Sequence, residues 1–240
     1  MENAPGTLYC VPTPIAKGRE PADDLPAPVV SRIATLEHIV AESAKTARAF
    51  LKGVPGMRPI QQVRIIELNE HTRDEEIDGM LAPLRAGQDV GLLSEAGCPG
   101  VADPGARLVR AAHRAAIPVV PLVGPSALLL ALMGCGLEGQ RFAFVGYLPA
   151  EAEPRRRRLC ELEQRSKRER ETVLFIETPY RNQAMADALL ATLRPSTWLC
   201  IAADLTGPGQ RLQTDRVQGW RERGLMLPRA PTVFLLLADG

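Results

Sequence analysis

The most chemically suggestive part of the sequence is a glycine- and proline-rich loop that follows an apolar run. It extends from Ser94 to Gly105 and reads SEAGCPGVADPG. Open α/β sheets bind ligands at loops of this kind, at the carboxyl ends of parallel strands. Gly97 and Gly100 would let a ligand approach the backbone, and N–H groups near a helix start can donate to a carboxylate. The simpler alternative is a tight strand-to-helix turn in which Asp103 caps the helix and Pro104 occupies its first turn.

The glycine spacing of this loop matches neither the dinucleotide-binding fingerprint nor the P-loop. The three histidines are scattered, and the five cysteines lie far apart without a C-x-x-C pair. We therefore predict no metal site and no disulfide framework. Reduced, buried thiols in a cytoplasmic protein are the expected state.

A second chemical signal is a basic segment between Arg155 and Arg170. It contains eight Lys or Arg residues against three Glu and opens with four consecutive arginines, Arg155–Arg158. Such a segment could bind phosphate, although charge runs are often only a solvated helix face. The formal net charge of +1 provides no global field that would by itself indicate a nucleic-acid partner.

Short apolar runs alternate with helical patterns, which predicts βαβ units and a mainly parallel sheet. In the first half the predicted strands are Leu8–Val11, Val63–Leu68, Val90–Leu93 and Val119–Leu122, with helices at about Arg73–Ala86 and after Pro104. In the second half the predicted strands are Phe142–Val145, Val173–Ile176, Trp198–Ala203 and Thr232–Ala238, with helices near Ser126–Met133, Arg155–Glu169, Arg181–Leu193 and Val217–Arg223.

The 240 residues, 45% of them hydrophobic, suffice for two small domains. We expect the division at the turn Val123–Gly124–Pro125, giving an N-terminal α/β domain of residues 1–122 and a C-terminal one of 123–240. The proline-rich stretch Pro21–Pro28 is predicted to be a mobile surface loop that could gate a cleft. No run of 18 apolar residues and no signal segment is present, so we expect no membrane insertion and a cytoplasmic location.

An ordered series of motifs covers nearly the whole chain. The series comprises Gly6–Ile15, Ser94–Pro99 with Asp103–Gly105, Val119–Ala127, Gly136–Leu137, Arg141–Phe142, Gly146–Pro149 and Leu174–Thr178 with Arg181. It resembles the tetrapyrrole methylase superfamily, and within it most closely the branch that methylates a cytidine ribose 2′-oxygen in small-subunit ribosomal RNA.

The resemblance implies a fold of two α/β domains, with a mainly parallel N-terminal sheet and a mixed C-terminal sheet. It also implies that S-adenosylmethionine binds in the cleft between the domains and that the chain forms a homodimer. Carried over position by position, the cofactor-binding candidates are Pro14, Glu95, Ala96, Gly97, Asp103, Ser126, Ala127, Tyr147, Leu148, Ala203 and Thr232. For Ser126 a helix N-cap is an equal alternative, and Tyr147 and Leu148 could instead be core residues.

Methylation of a ribose hydroxyl would need a base within hydrogen-bond reach, whereas a pyrrole carbon would need less help. The candidate bases are Glu42, Glu70 and Glu177. Lys45 and Arg181, together with Arg155 and Arg156, are the candidate substrate-binding residues. Structural ion pairs are an alternative for the charged candidates.

The sequence departs from the ribosomal branch in ways that bear on the substrate. Ser43–Ala44–Lys45 stands where that branch has an acidic residue, a threonine and an arginine, Ala16–Lys17 replaces glycine and asparagine, and Glu95 replaces aspartate. RNA methylation is thus the first hypothesis. A tetrapyrrole or other small-molecule methylase and a non-catalytic binding module remain alternatives.

Overall fold

In the computed structural model, which describes residues 4–239, the chain divides into two units, Met1–Ser126 and Ala127–Gly240. The boundary directly follows the Val123–Gly124–Pro125 turn at which we expected the division. Among the described residues, none of the helices combines the length and the apolar character that crossing a bilayer requires.

The first unit is built on a five-stranded sheet in which every pairing is parallel, as predicted. Its strands are β1 (Leu8–Val11), β2 (His38–Ala41), β3 (Arg64–Glu67), β4 (Val90–Leu93) and β5 (Val119–Pro121), in the order β3-β2-β4-β1-β5. Its helices are α1 (Pro21–Asp24), α2 (Ala27–Ala34), α3 (Ala44–Lys52), α4 (Asp74–Met80), α5 (Ala82–Arg85) and α6 (Gly105–Arg114). The central strand β4 is buried at every position, because one apolar cluster includes α2 and α3 and another includes α4 to α6.

The second unit contains a mixed sheet in the order β6-β7-β10-β8-β9, again as expected. Its strands are β6 (Phe142–Tyr147), β7 (Thr172–Glu177), β8 (Trp198–Ala203), β9 (Arg211–Arg216) and β10 (Thr232–Leu237). Only β6 and β7 pair in parallel. The helices are α7 (Ala127–Cys135), α8 (Ala152–Glu169), α9 (Asn182–Thr192) and α10 (Val217–Arg223). The core includes the stacked rings of Phe175 and Phe234, whose centroids are 5.5 Å apart.

Two predicted elements were wrong, and in both cases proline explains the difference. The predicted loop Pro21–Pro28 forms α1 and the start of α2, because proline suits the first turn of a helix, and Glu20 and Asp23 form a capping box. The predicted helix at Arg73–Ala86 is divided into α4 and α5. Pro83 lies in the first turn of α5, where its missing N–H interrupts helical hydrogen bonding.

Two strands of the structure were not predicted from the sequence. β2 is a four-residue segment that the apolar runs did not single out, and β9 is a polar strand, RLQTDR, at the edge of its sheet. The cap of α6 differs as well: Pro104 holds the N-cap position. Asp103, one residue earlier, accepts from the N–H of Gly105 at 2.7 Å.

Candidate functional site

Three loops converge at the carboxyl edge of the parallel sheet. Glu42 follows β2, Glu70 follows β3 and Glu95 follows β4. Because parallel strands end on the same side, these carboxylates line one open cleft of about 920 Å³, together with Asp103 and Arg107. The structure thus brings together two of the three candidate bases and two of the candidate cofactor residues.

Crowding of carboxylates gives Glu42 distinctive acid–base properties. Partial burial, followed by the negative charges of Glu95, Asp103 and Glu70, raises the pKa of Glu42 above its ordinary value. Glu42 nevertheless remains exposed to the cleft. An accessible carboxylate with increased proton affinity is suited to accept a proton from a substrate hydroxyl.

Asp103 has a structural role within the same loop. Its Oδ1 accepts hydrogen bonds from the N–H groups of Gly100 and Gly105, each at 2.7 Å. Burial raises the pKa of Asp103, and these two hydrogen bonds oppose that effect. The carboxylate therefore fixes the turn between β4 and α6 at the edge of the cleft.

The first and second motif loops are held together by backbone hydrogen bonds. The N–H of Thr13 donates to the carbonyl of Gly97 at 2.9 Å, and the N–H of Gly97 donates back at 3.0 Å. Gly97 has a φ of +75°, and a Cβ there would lie 3.2 Å from the side chain of Ile15. Only glycine adopts this conformation readily, and a larger residue would also require the side chain of Ile15 to shift.

Next to this bridge, the backbone offers hydrogen-bond donors. Within residues 4–239, the N–H groups of Glu95 and Ala96 have no hydrogen-bond partner, and both residues are exposed. Pro14, the first-loop candidate, lines a neighbouring cleft of about 260 Å³ that also includes Glu95 and Phe50. Four cofactor candidates of the first unit thus lie around one exposed stretch of backbone.

The departure at Ser43–Ala44–Lys45 has a local structural explanation. Ser43 is the N-cap of α3, and its hydroxyl accepts from the N–H of Thr46. Lys45 lies exposed in the first turn of that helix. The substitution therefore preserves a well-capped helix at the cleft and places a cation close to Glu42 in the chain.

Two neighbours of these residues were not predicted from the sequence. Thr46 donates its hydroxyl hydrogen to Glu95, and Arg107 lines the cleft from α6. Arg107 lies in the first turn of α6, directly after the Asp103–Gly105 motif, so its position in the sequence could have identified it. Thr46 lies on a separate element, and only the tertiary structure brings it to Glu95.

At the end of the first unit, Ser126 immediately precedes α7, and Ala127 is the first residue of that helix. Both are half-buried.

In the second unit, Glu177 and Arg181 bind each other. Nη2 of Arg181 lies 2.8 Å from Oε2 of Glu177, whose side chain is fully buried. Oε1 accepts from the N–H of Thr178 at 2.8 Å. Because its oxygens already have these partners, the geometry favours Glu177 as an anchor for the turn between β7 and α9 over a role as base.

Other candidates of the second unit lie in the sheet itself. Thr232, at the start of β10, pairs with Glu177 on one side and with Ala203 on the other. All three are buried, and Thr232 accepts a hydrogen bond from Nδ2 of Asn182 at 2.9 Å. Leu148 is also buried, in keeping with a core residue, whereas Tyr147 is exposed, so the alternative of a core tyrosine was wrong.

The arginine run lies near the start of α8. Several of its members bind carboxylates or a backbone carbonyl. Arg156 pairs with Glu153 at 3.0 Å, and Arg158 pairs with Glu161 at 3.0 Å. Arg155 donates to the carbonyl of Ala150 at 3.1 Å. The free charge on this face is therefore smaller than the sequence suggested.

The chain matches the family of tetrapyrrole (corrin/porphyrin) methylases over residues 7–219. It is 33% identical to the ribosomal RNA small subunit methyltransferase I of Escherichia coli O157:H7, over 85% of this chain and 67% of that protein. It is 35% identical to the protein of the same name from Synechocystis sp., over 84% of this chain and 67% of that protein.

Solved structures share the fold at lower sequence identity. The methyltransferase CobJ aligns with a TM-score of 0.61 and 16% identity, over 99% of this chain and all of that chain. Uroporphyrin-III-C-methyltransferase from Thermus thermophilus aligns with a TM-score of 0.54 and 20% identity, over 97% of this chain and 92% of that chain.

Proposed function

Because the chain belongs to the tetrapyrrole methylase family and is an S-adenosylmethionine-dependent methyltransferase, we propose that it methylates ribosomal RNA. More specifically, we propose the 2′-oxygen of a cytidine ribose as the acceptor. Two similar proteins named as small-subunit ribosomal RNA methyltransferases support the substrate class. The observation that carries the proposal is Glu42, an accessible carboxylate of raised pKa in a wide cleft.

The acceptor oxygen and Glu42 have complementary roles. The bound cofactor supplies a methyl group already activated by its sulfonium. Glu42 accepts the hydroxyl proton as the oxygen bonds to that methyl group, and the methyl–sulfur bond breaks. Glu70 and Glu95 contribute by keeping the proton affinity of Glu42 high. Lys45, exposed on the neighbouring turn, is our candidate for a phosphate contact.

For the cofactor we propose contacts with Pro14, Glu95, Ala96 and Gly97, with Asp103 fixing the loop. The open N–H groups of Glu95 and Ala96 suit the hydroxyl or carboxylate oxygens of S-adenosylmethionine. The absence of a side chain at Gly97 suits close backbone approach.

The test is methyl transfer from labelled S-adenosylmethionine to small ribosomal subunits, with the modified nucleotide located by mass spectrometry. We expect Glu42→Gln to lower the rate by about 10²- to 10⁴-fold with little change in cofactor affinity, since general-base catalysis contributes a factor of that size. Glu75→Gln, an exposed carboxylate on α4, is the matched control and should retain the wild-type rate.

Two outcomes would contradict the proposal. Wild-type rates in Glu42→Gln would exclude Glu42 as the base. If ribosomal subunits are not methylated while a tetrapyrrole is, the acceptor belongs to the small-molecule class instead.

We further propose that the chain acts as a homodimer in the cytoplasm, where ribosomal subunits are found. The assembly is tested by light scattering at micromolar concentration. A mass near 52 kDa, about twice the 26.1 kDa of one chain, is expected, and a mass near that of one chain would reject the dimer.

A further inference from the structure

A row of arginines on α6 begins at Arg107, which lines the cleft, and continues beyond the candidate site. Arg107, Arg110 and Arg114 occupy positions i, i+3 and i+7 of this helix, and therefore share one face. The helix contains no acidic residue. Together with Arg85 of α5 and with Asp74 and Asp78 of α4, the three arginines line a groove of about 500 Å³, the α4–α6 groove.

The charges in this groove do not balance. Four arginines face two aspartates, which leaves a formal charge of +2. Arg107 pairs with Asp74 at 2.6 Å, and Arg85 pairs with Asp78 at 2.5 Å. Arg110 and Arg114 are exposed, and their side chains form no hydrogen bond or ion pair with any residue between 4 and 239.

The three arginines of α6 all act on the carboxylate of Asp74. The pKa of Asp74 is lowered, first by the hydrogen bond and charge of Arg107 and then by the charges of Arg110 and Arg114. The single carboxylate is therefore shared among three cations. Because Arg110 and Arg114 interact with Asp74 through charge alone, their guanidinium N–H donors are open to an incoming anion.

The groove and the candidate site share one residue. Arg107 lines both the groove and the cleft that contains Glu42 and Glu70. From Arg107 to Arg114 the helix rises about 10 Å, so the cations extend away from the cleft in a line. This arrangement suits an RNA strand that places one nucleotide in the cleft while the neighbouring phosphates follow the arginines.

From these observations, we propose that the α4–α6 groove binds the phosphate backbone of the RNA substrate through Arg110 and Arg114. The inference rests on the proposed function and adds to it the surface that holds the RNA beside the reacting nucleotide. Guanidinium groups favour phosphate because their planar donors form two parallel hydrogen bonds with its oxygens. Two arginines of α8, Arg156 and Arg158, are less suited, because each already binds a carboxylate.

The experiment compares the double variant Arg110→Ala/Arg114→Ala with the matched control Arg156→Ala/Arg158→Ala. Both remove two positive charges from a helix surface. Filter binding of a small-subunit ribosomal RNA fragment is measured across a salt series, and S-adenosylhomocysteine binding is measured by calorimetry. Circular dichroism confirms that the variants remain folded, as exposed arginines should allow.

For the α6 variant we expect weaker RNA binding and a salt slope reduced by about 1.4, because each single-strand phosphate contact contributes about 0.7. Cofactor-product affinity should not change. The control should keep most of the wild-type slope. An unchanged slope in the α6 variant would overturn the groove proposal, and a flattened slope in the control alone would assign the RNA to α8 instead. If wild type itself neither binds nor methylates RNA, the proposed function fails, and the groove proposal fails with it.

Discussion

The parallel and the mixed sheet place their candidate residues in different environments. In the first unit Glu42, Glu70 and Glu95 lie beyond the ends of three parallel strands and share an open cleft. In the second unit Glu177, Ala203 and Thr232 lie within strands and face one another across the ladder. The first group is solvent-accessible, whereas the second is buried.

This difference teaches that neighbouring candidates need not have the same role. Residues in loops past a strand end can meet a ligand because no ladder hydrogen bond or core contact occupies them. Buried strand residues are held by ladder hydrogen bonds and core contacts, so their replacement affects stability first. Substitutions in the two units should therefore have different consequences, on stability in the second unit and on ligand binding in the first.

The largest effect on stability should come from Arg181→Met. It leaves the fully buried carboxylate of Glu177 without its cation, which typically costs about 3–5 kcal/mol. Urea unfolding measures the loss. Replacing both residues by methionine should recover part of it, because no buried charge is then left unpaired. A single variant within about 1 kcal/mol of wild type would show that the pair is not structural.

An intermediate effect is expected for Asp103→Ala in the first unit. The variant loses two hydrogen bonds to a charged oxygen, each of which contributes about 1.5–3 kcal/mol. We therefore expect the free energy of unfolding to fall by at least the contribution of one such bond. Asp103→Asn retains an acceptor oxygen and should lose less. Thermal unfolding compares the two, and equal losses would argue against this role for Oδ1.

Gly97→Leu should weaken cofactor binding. The side chain forces a positive φ onto a non-glycine residue, at about 1–2 kcal/mol, and fills the space beside Ile15. We expect S-adenosylhomocysteine affinity to fall tenfold or more in titration calorimetry. Gly79→Ala is the matched control, since a Cβ on this residue of α4 meets nothing within 4 Å. Wild-type affinity in Gly97→Leu would remove this loop from the cofactor site.

The smallest effect is the pH dependence of stability in Glu42→Gln. A carboxyl whose folded pKa is raised loses its proton first in the unfolded chain, so its ionisation destabilises the fold as pH rises through the folded pKa. The variant cannot ionise at this position. It should therefore match wild type below about pH 4 and be slightly more stable at neutral pH, as measured by thermal unfolding across pH. A variant less stable than wild type at neutral pH would show that Glu42 makes a stabilising contact instead.

Much of the framework could be predicted from local sequence patterns. The strands Leu8–Val11, Val90–Leu93 and Trp198–Ala203 have the predicted bounds, because buried apolar runs flanked by turn residues define strands locally. The motif order also predicted the two-unit α/β architecture and the methylase family. The loop at Gly97 was identifiable from its residues alone, since glycine and proline impose their backbone restrictions wherever they occur.

Which charges remain available for a ligand depends on the fold. Arg155–Arg158 was the prominent signal in the sequence, yet Arg156 and Arg158 are paired with Glu153 and Glu161. The side chains of Arg110 and Arg114, by contrast, form no hydrogen bond or ion pair within residues 4–239 and interact with Asp74 through charge alone. Likewise, the pKa of Glu42 is raised first by partial burial and then by the charges of Glu95, Asp103 and Glu70, which are distant in the chain and close in the fold. Electrostatic interactions depend on separation in space and on burial, and neither quantity is encoded in the order of neighbouring residues.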